Sequence, residues 1–205
     1  ATSYPASDVM ARGTLVNIGI YIYDHAEVLD FSGPFEVFST AKRLSENHWN
    51  VFLIGERPSL ITARGGFEVG PHYCINSHPK LDVLIVVGGI HHEQLNNTSV
   101  IRWVHQQTRL VQITASVCTG AFILAETGIL DGKTVTTHWE DIAELRKTYP
   151  KLDVESERRW IEDGNVVTSG GISTGIDMSL YLVSKMASQE VANLTAKQME
   201  YRWNI

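Results

Sequence analysis

Cys118 is the residue around which the chemistry of this chain gathers. It stands in the stretch Thr114-Ala115-Ser116-Val117-Cys118-Thr119-Gly120-Ala121-Phe122. Ahead of it, Leu110-Val111-Gln112-Ile113 reads as a strand; behind it, Ala121 to Thr127 reads as a short helix closed by Gly128. A strand that turns straight into a helix projects the turn residue from the top of a sheet, and small Ser116 and Gly120 leave room for the bend. A thiol there faces the positive end of a helix dipole, which favours thiolate. Backbone N–H groups of the same turn can receive a developing negative charge. The plain alternative is an inert packed thiol, because free cysteines are among the most buried residues.

Other polar residues carry a functional and a structural reading side by side. Asp30 follows the first strand; it reads either as a helix cap or as a carboxyl group that exchanges a proton with Cys118. Gly88-Gly89 ends an apolar strand, as a tight turn or as bare N–H groups facing a substrate. His138 lies twenty residues beyond Cys118 at a strand end, and is either a base for the thiol or a structural residue opening a helix. His91-His92-Glu93 is a weak metal signal and reads as solvated polar surface, so no metal ligand is assigned. Ser169-Gly170-Gly171-Ile172-Ser173-Thr174-Gly175 is Gly-rich ahead of a helix, but it lacks both the Lys-Ser/Thr and the G-x-G-x-x-G patterns. A phosphate loop or dinucleotide site is therefore rejected, and no cofactor is expected.

The elements that position these groups alternate between strand and helix. Leu15 to Tyr23 is apolar almost throughout, as a buried parallel strand should be. A helix runs through Phe35, Val37 and Phe38, with Pro34 in its first turn and Ser32 or Gly33 as cap. His48 to Ile54 is a second strand, and Leu60 to Val69 is a short pair of strands about Arg64-Gly65-Gly66. Leu81 to Val87 is a buried strand, and Thr98 caps a helix whose apolar face holds Val100, Trp103 and Val104. Thr134 to Thr137 is a short strand leading into a helix that ends at Pro150. Val154 to Trp160 and Asn165 to Ser169 flank a Glu162-Asp163-Gly164 hairpin turn. Two helices close the chain, an apolar one from Ile176 to Met186 and one capped by Ser188. This rhythm predicts an α/β fold, a mostly parallel sheet covered by helices on both faces.

The chain of 205 residues supports one large domain, with 43 % apolar and 20 % charged residues. A net charge of −6 argues against a nucleic-acid surface. No run approaches the roughly 18 apolar residues of a membrane span. Residues 1–13 contain no basic segment followed by an apolar core and read as a loose arm ahead of a domain over 14–205. Two cysteines do not make a disulfide framework, and a reducing cytoplasm is the expected location.

The motifs together resemble the ThiJ/PfpI superfamily, the class I glutamine-amidotransferase-like fold. The resemblance rests on Leu29 to Phe38, Val86-Val87-Gly88-Gly89, Ser116 to Ala121 with Thr136-Thr137-His138-Trp139, and Gly170 to Asp177, in that order over roughly residues 14 to 203. Within the superfamily the chain is most similar to the isonitrile hydratases and to the sensor domains of AraC-type regulators. The resemblance implies a single-domain flavodoxin-like sandwich. It implies Cys118 as nucleophile, Asp30 as the neighbouring acid, and Thr119 as the residue that orients substrate or water. Gly89 and Thr119 would offer N–H groups, and Gly171 and Ile172 would line the pocket. It also implies a homodimer and a small-molecule substrate. Thr119 departs from the His that follows the cysteine in PfpI-type proteases, and Gly171-Ile172-Ser173 departs from the His-x-Glu of glutamine amidotransferases. The chain ends at Tyr201 to Ile205 without a helix-turn-helix segment, which gives the expectation of a stand-alone enzyme. The implied activity is isonitrile hydration. The alternatives are glyoxalase or deglycase chemistry on α-oxoaldehydes, and a non-enzymatic ligand or redox sensor.

Overall fold

Strand β1 (Leu15–Tyr21) is buried along its last four residues and lies inside the sheet, because a run of Ile, Gly and Tyr leaves neither face for water. The structure, a computed structural model, describes residues 15–203, and the arm expected over 1–13 lies outside them. After β1 come α1 (Val28–Leu44), β2 (His48–Gly55), the small hairpin β3 (Ile61–Thr62) and β4 (Glu68–Val69), β5 (Tyr73–Cys74) and β6 (Val83–Val86). Next are α2 (His92–Leu95), α3 (Thr98–Leu110), β7 (Ile113–Val117), α4 (Gly120–Glu126) and β8 (Thr134–Val135). The chain closes with α5 (Ile142–Thr148), β9 (Asp153–Val154), β10 (Trp160–Asp163), β11 (Val166–Ser169), α6 (Thr174–Met186) and α7 (Gln189–Gln198).

Among the described residues seven strands form the main sheet, in the order β10-β11-β7-β6-β1-β2-β5. Every neighbouring pair is parallel except the β10–β11 hairpin. The helices pack in two groups, α1 with α6 and α7, and α2 with α3 and α4, and cover the two faces of the sheet. The result is the single-domain α/β sandwich that the sequence predicts. Parallel β1, β6, β7 and β11 end at one edge; Cys118 and Gly170 directly follow the ends of β7 and β11, and Gly88 comes two residues after the end of β6. In open α/β sheets, sites form at that edge. Among the described residues no helix is long and apolar enough to cross a membrane. Cys74 and Cys118 are both free thiols.

Several boundaries differ from expectation, each for a local reason. Helix α1 begins at Val28, not at Pro34, so Asp30 lies in its first turn and Pro34 inside the helix. Proline has no N–H to give the Asp30 carbonyl, but its fixed φ is helical, and the apolar face through Phe31, Val37 and Phe38 keeps the helix going. The strand before Cys118 is Ile113–Val117, because α3 continues to Leu110. Asn97, not Thr98, caps α3; its Oδ1 accepts from the Val100 N–H at 3.2 Å. Residues 155–159 are not strand, and β10 starts only at Trp160.

Candidate active site

Cys118 has φ of 56°, in the left-handed region that side chains avoid, at a cost of about 1–3 kcal/mol. Such a conformation persists only where the surroundings over-determine it. Here the Cys118 N–H donates to the carbonyls of Ser169 (3.1 Å) and Gly170 (3.2 Å), and the Thr137 Oγ1 donates to the Cys118 carbonyl at 2.8 Å. Two later segments of the chain therefore hold both ends of the turn, and α4 starts two residues on.

Asp30 is fully buried beside the thiol. The Gly88 N–H donates to its Oδ2 at 3.0 Å, and the Cys118 thiol faces the carboxyl, whose Oδ1 has no other partner. Burial raises the Asp30 pKa to about 8 against the pull of the Gly88 N–H. The thiol is also held well above the ordinary thiol range, first by burial and then by Asp30, with Asp141 and Glu27 adding to it, while the Thr119 N–H pulls the other way. The expected thiolate at a helix terminus is thus corrected. The dipole of a two-turn helix does not offset burial among carboxylates, and the pair retains its protons. A carboxyl and a thiol this close titrate as a unit: protonation of Asp30 removes the charge that opposes thiolate.

The remaining candidates lie around this pair. Thr119 is buried; its Oγ1 accepts from the Gly89 N–H at 3.0 Å and donates to the Gly89 carbonyl at 3.1 Å. The N–H groups of Gly88 and Gly89, expected free for an oxyanion, are therefore engaged by Asp30 and Thr119. Glycine is required at 88, since a Cβ there would stand 2.5 Å from the Thr119 nitrogen and 2.8 Å from the Cys118 Cβ. It is required again at 171, where a Cβ would meet the Cys118 Sγ at 2.6 Å and the His138 Cδ2 at 2.9 Å. Ile172 is partly exposed at the cavity mouth. His138 also lines the cavity, and its Cδ2 and the Cys118 Sγ both stand against the face of Gly171 where a Cβ would project. Its Nδ1 accepts from the Glu140 N–H at 3.3 Å, and no hydrogen bond joins it to Cys118 among the described residues.

The cavity over the thiol has a volume of about 260 Å³. Residues that sequence reasoning did not assign also face it. Glu27 and Arg64 pair across its rim at 3.3 Å. Arg64 arrives on the β3–β4 hairpin, tied down by its N–H to the Ala26 carbonyl at 2.9 Å. The Arg-Gly-Gly turn was legible; its position over the cavity was not. His91, expected as solvated surface, is instead buried, with its ring 4.6 Å from that of Phe122. Burial lowers its pKa to about 4, with His92 adding to the effect. Tyr23 is a further buried neighbour of Asp30 and Cys118, and its hydroxyl donates to the Val87 carbonyl at 2.8 Å. A larger polar cavity of about 320 Å³ beside Tyr21, Glu56, Arg57 and Gln94 has no cysteine or histidine among its lining residues.

Comparison with known proteins gives this geometry a context. The DJ-1/PfpI family model matches residues 16–185. The isonitrile hydratase of Pseudomonas putida is 30 % identical over 187 residues, which is 91 % of this chain and 78 % of that protein. The HTH-type transcriptional regulator GbdR of Pseudomonas aeruginosa is 26 % identical over 188 residues, 90 % of this chain, and the chain spans 50 % of its length. Among solved structures, a ThiJ/PfpI family protein from Pseudomonas syringae superposes with a TM-score of 0.85 at 21 % identity, over 100 % of this chain and 83 % of that one. Drosophila melanogaster DJ-1beta gives 0.80 at 18 % identity, over 93 % and 100 %. At those identities the two structures speak for the fold alone.

Proposed function

The chain belongs to the DJ-1/PfpI family, and on that premise we propose that it is a cysteine-dependent enzyme that hydrates isonitriles to N-substituted formamides. The observation that carries this reading is the buried Asp30, a carboxyl with one unpaired oxygen that keeps its proton to about pH 8 directly beside the Cys118 thiol. Hydration of an isonitrile requires a proton and a nucleophile at one and the same carbon, and the pair supplies both. Similarity to the isonitrile hydratase of Pseudomonas putida points the same way.

In the proposed reaction Asp30 gives its proton to the terminal carbon of R–N≡C as the sulfur of the Cys118 thiol bonds to that carbon, forming the thioimidate R–N=CH–S–Cys118. The Asp30 carboxylate, now short of a proton, takes the one that Cys118 releases. Water then adds across the C=N bond, with Asp30 acting as the proton carrier. The C–S bond breaks, R–NH–CHO leaves, and the sulfur recovers its proton. The sum is isonitrile plus water to formamide, with the pair restored.

The test is formamide production from cyclohexyl isonitrile by the wild type and by Cys118→Ala. The expected result is turnover by the wild type and a loss of roughly a thousandfold or more in the variant. Equal rates would end the reading. Turnover of methylglyoxal without formamide would move it to α-oxoaldehyde chemistry. The similarity to a transcriptional regulator over most of this chain favours a second reading, a small-molecule sensor. A sensor would bind isonitriles or react at Cys118 with peroxide without turning anything over.

A further inference from the structure

Polar groups on the inner wall of the Cys118 cavity are largely paired with one another. The Gly88 N–H donates to Asp30, and the Thr119 Oγ1 exchanges hydrogen bonds with the N–H and carbonyl of Gly89. The His138 Nδ1 accepts from the Glu140 N–H, and that ring is partly open to solvent. His91 differs from all of these. It lines the same cavity at 2 % exposure, and neither of its ring nitrogens has a hydrogen-bond partner among the described residues. The Gly89 carbonyl faces the ring without reaching hydrogen-bond geometry, and it already accepts from Thr119. Nor is the ring free to turn away. The Ile90 N–H donates to the His25 carbonyl at 3.1 Å and the Gln94 N–H to the His91 carbonyl at 2.9 Å, which holds the backbone on either side. Phe122, on α4 and one turn beyond Cys118, packs its ring 4.6 Å from the imidazole, and His92 stacks on it at 4.3 Å.

Burial keeps this ring neutral above about pH 4, so it has one N–H to give and one lone pair to accept with. An imidazole buried without a partner destabilises a fold, and an apolar side chain would pack there at less cost. A molecule in the cavity that bonds to the ring offsets that cost. The cavity of about 260 Å³ has room for a small group on the sulfur and for a water, whose share of liquid volume is about 30 Å³.

We propose that His91 holds the water that attacks the carbon bonded to Cys118. This rests on Cys118 as the nucleophile of the reaction given above. One O–H of the water donates to the His91 lone pair, which turns an oxygen lone pair toward that carbon. As the O–C bond forms, Asp30 gives its proton to the nitrogen and takes the other proton of the water. The proton bonded toward His91 stays on oxygen until the C–S bond breaks and then returns to sulfur. His91 begins and ends neutral, so it positions the water and does not carry its proton.

The first arm of the test needs no isonitrile. In a Cys74→Ser background, Cys118 is acetylated with p-nitrophenyl acetate, the excess is removed, and loss of the acetyl group is followed by intact mass. Hydrolysis of this thioester calls on a water at the same place. In His91→Leu its half-life should lengthen about tenfold or more, the scale of a misplaced reactant. His91→Gln, which again offers an acceptor and a donor, should recover part of the rate. The melting temperature of His91→Leu at pH 7 should equal or exceed that of its parent, because an unpartnered polar group has been removed. An unchanged half-life in His91→Leu overturns the proposal, and so does a melting temperature that falls by several degrees in both variants, which would assign the ring to packing. In the second arm a single turnover of cyclohexyl isonitrile is followed on the protein. The thioimidate should form at the parent rate and persist in His91→Leu; slow formation without accumulation overturns the proposal. If no isonitrile adds to Cys118 while the acetyl half-life still depends on His91, the hydratase reading falls and the place of the water stands.

Discussion

Two acids share one small space at the floor of the cavity, and their protons set the pH behaviour of the site. Asp30 titrates near 8 in the folded chain, far above an ordinary carboxylate. Between about pH 4 and 8 the folded state holds a proton there that the unfolded state has lost. The contribution of this group to stability is therefore complete below pH 4 and declines as pH rises through 8. Asp30→Asn keeps an oxygen for the Gly88 N–H and carries no charge. Its melting temperature relative to wild type should be unchanged or lower at pH 4 and higher at pH 8, measured by thermal denaturation across that range. The same variant should lose roughly two to four orders of magnitude in turnover, the share of a positioned proton donor. Wild-type kcat/KM should fall as pH rises past about 8 and the first proton leaves the pair, with an apparent pKa near 8 in a pH–rate profile. The sequence made Cys118 and Asp30 legible as partners. It did not reveal their ionisation, because burial is set by α1 and the Gly88 turn closing over them, and those contacts are distant in the chain.

At the level of elements, the site depends on close approaches between loops. Thr137 is hydrogen-bonded to the Cys118 carbonyl, so Thr137→Val leaves that carbonyl only the longer contact from the Ala121 N–H at 3.4 Å. Chemical denaturation should show a loss of about 0.5–1.5 kcal/mol, the usual net worth of one hydrogen bond. In Gly171→Ala the new Cβ falls 2.6 Å from the sulfur, which must move aside. Turnover should drop roughly a hundredfold, the scale of an ångström's misplacement, with the far-ultraviolet circular dichroism unchanged. Strand and helix order was readable because the apolar runs are long and the caps explicit, as at Ser188, whose Oγ accepts from the Val191 N–H. The start of α1 was not, because Pro34 normally marks a first turn and here is carried within a helix by the packing of Phe31 and Phe38. Nor was the burial of His91, since a His-His-Glu run gives no hint that Phe122 will receive an imidazole against its face.

On the scale of the whole molecule, the parallel sheet gathers residues from positions 27 to 172 at one edge, a convergence that periodicity predicts in kind but not in detail. We propose that two such molecules pair about a two-fold axis; light scattering should give twice the mass of the chain, and a monomer would refute it. The anchoring of Cys118 has one more consequence. Its backbone is held by Thr137, Ser169 and Gly170, all made after it on the ribosome. Until β11 docks along β7, nothing keeps residue 118 in its unfavourable conformation, and the nascent chain presents an ordinary, relaxed cysteine. The reactive geometry is thus a late product of folding, timed by long-range pairing and not by the local turn. During refolding, the native reactivity of the thiol should recover after helical signal has already returned.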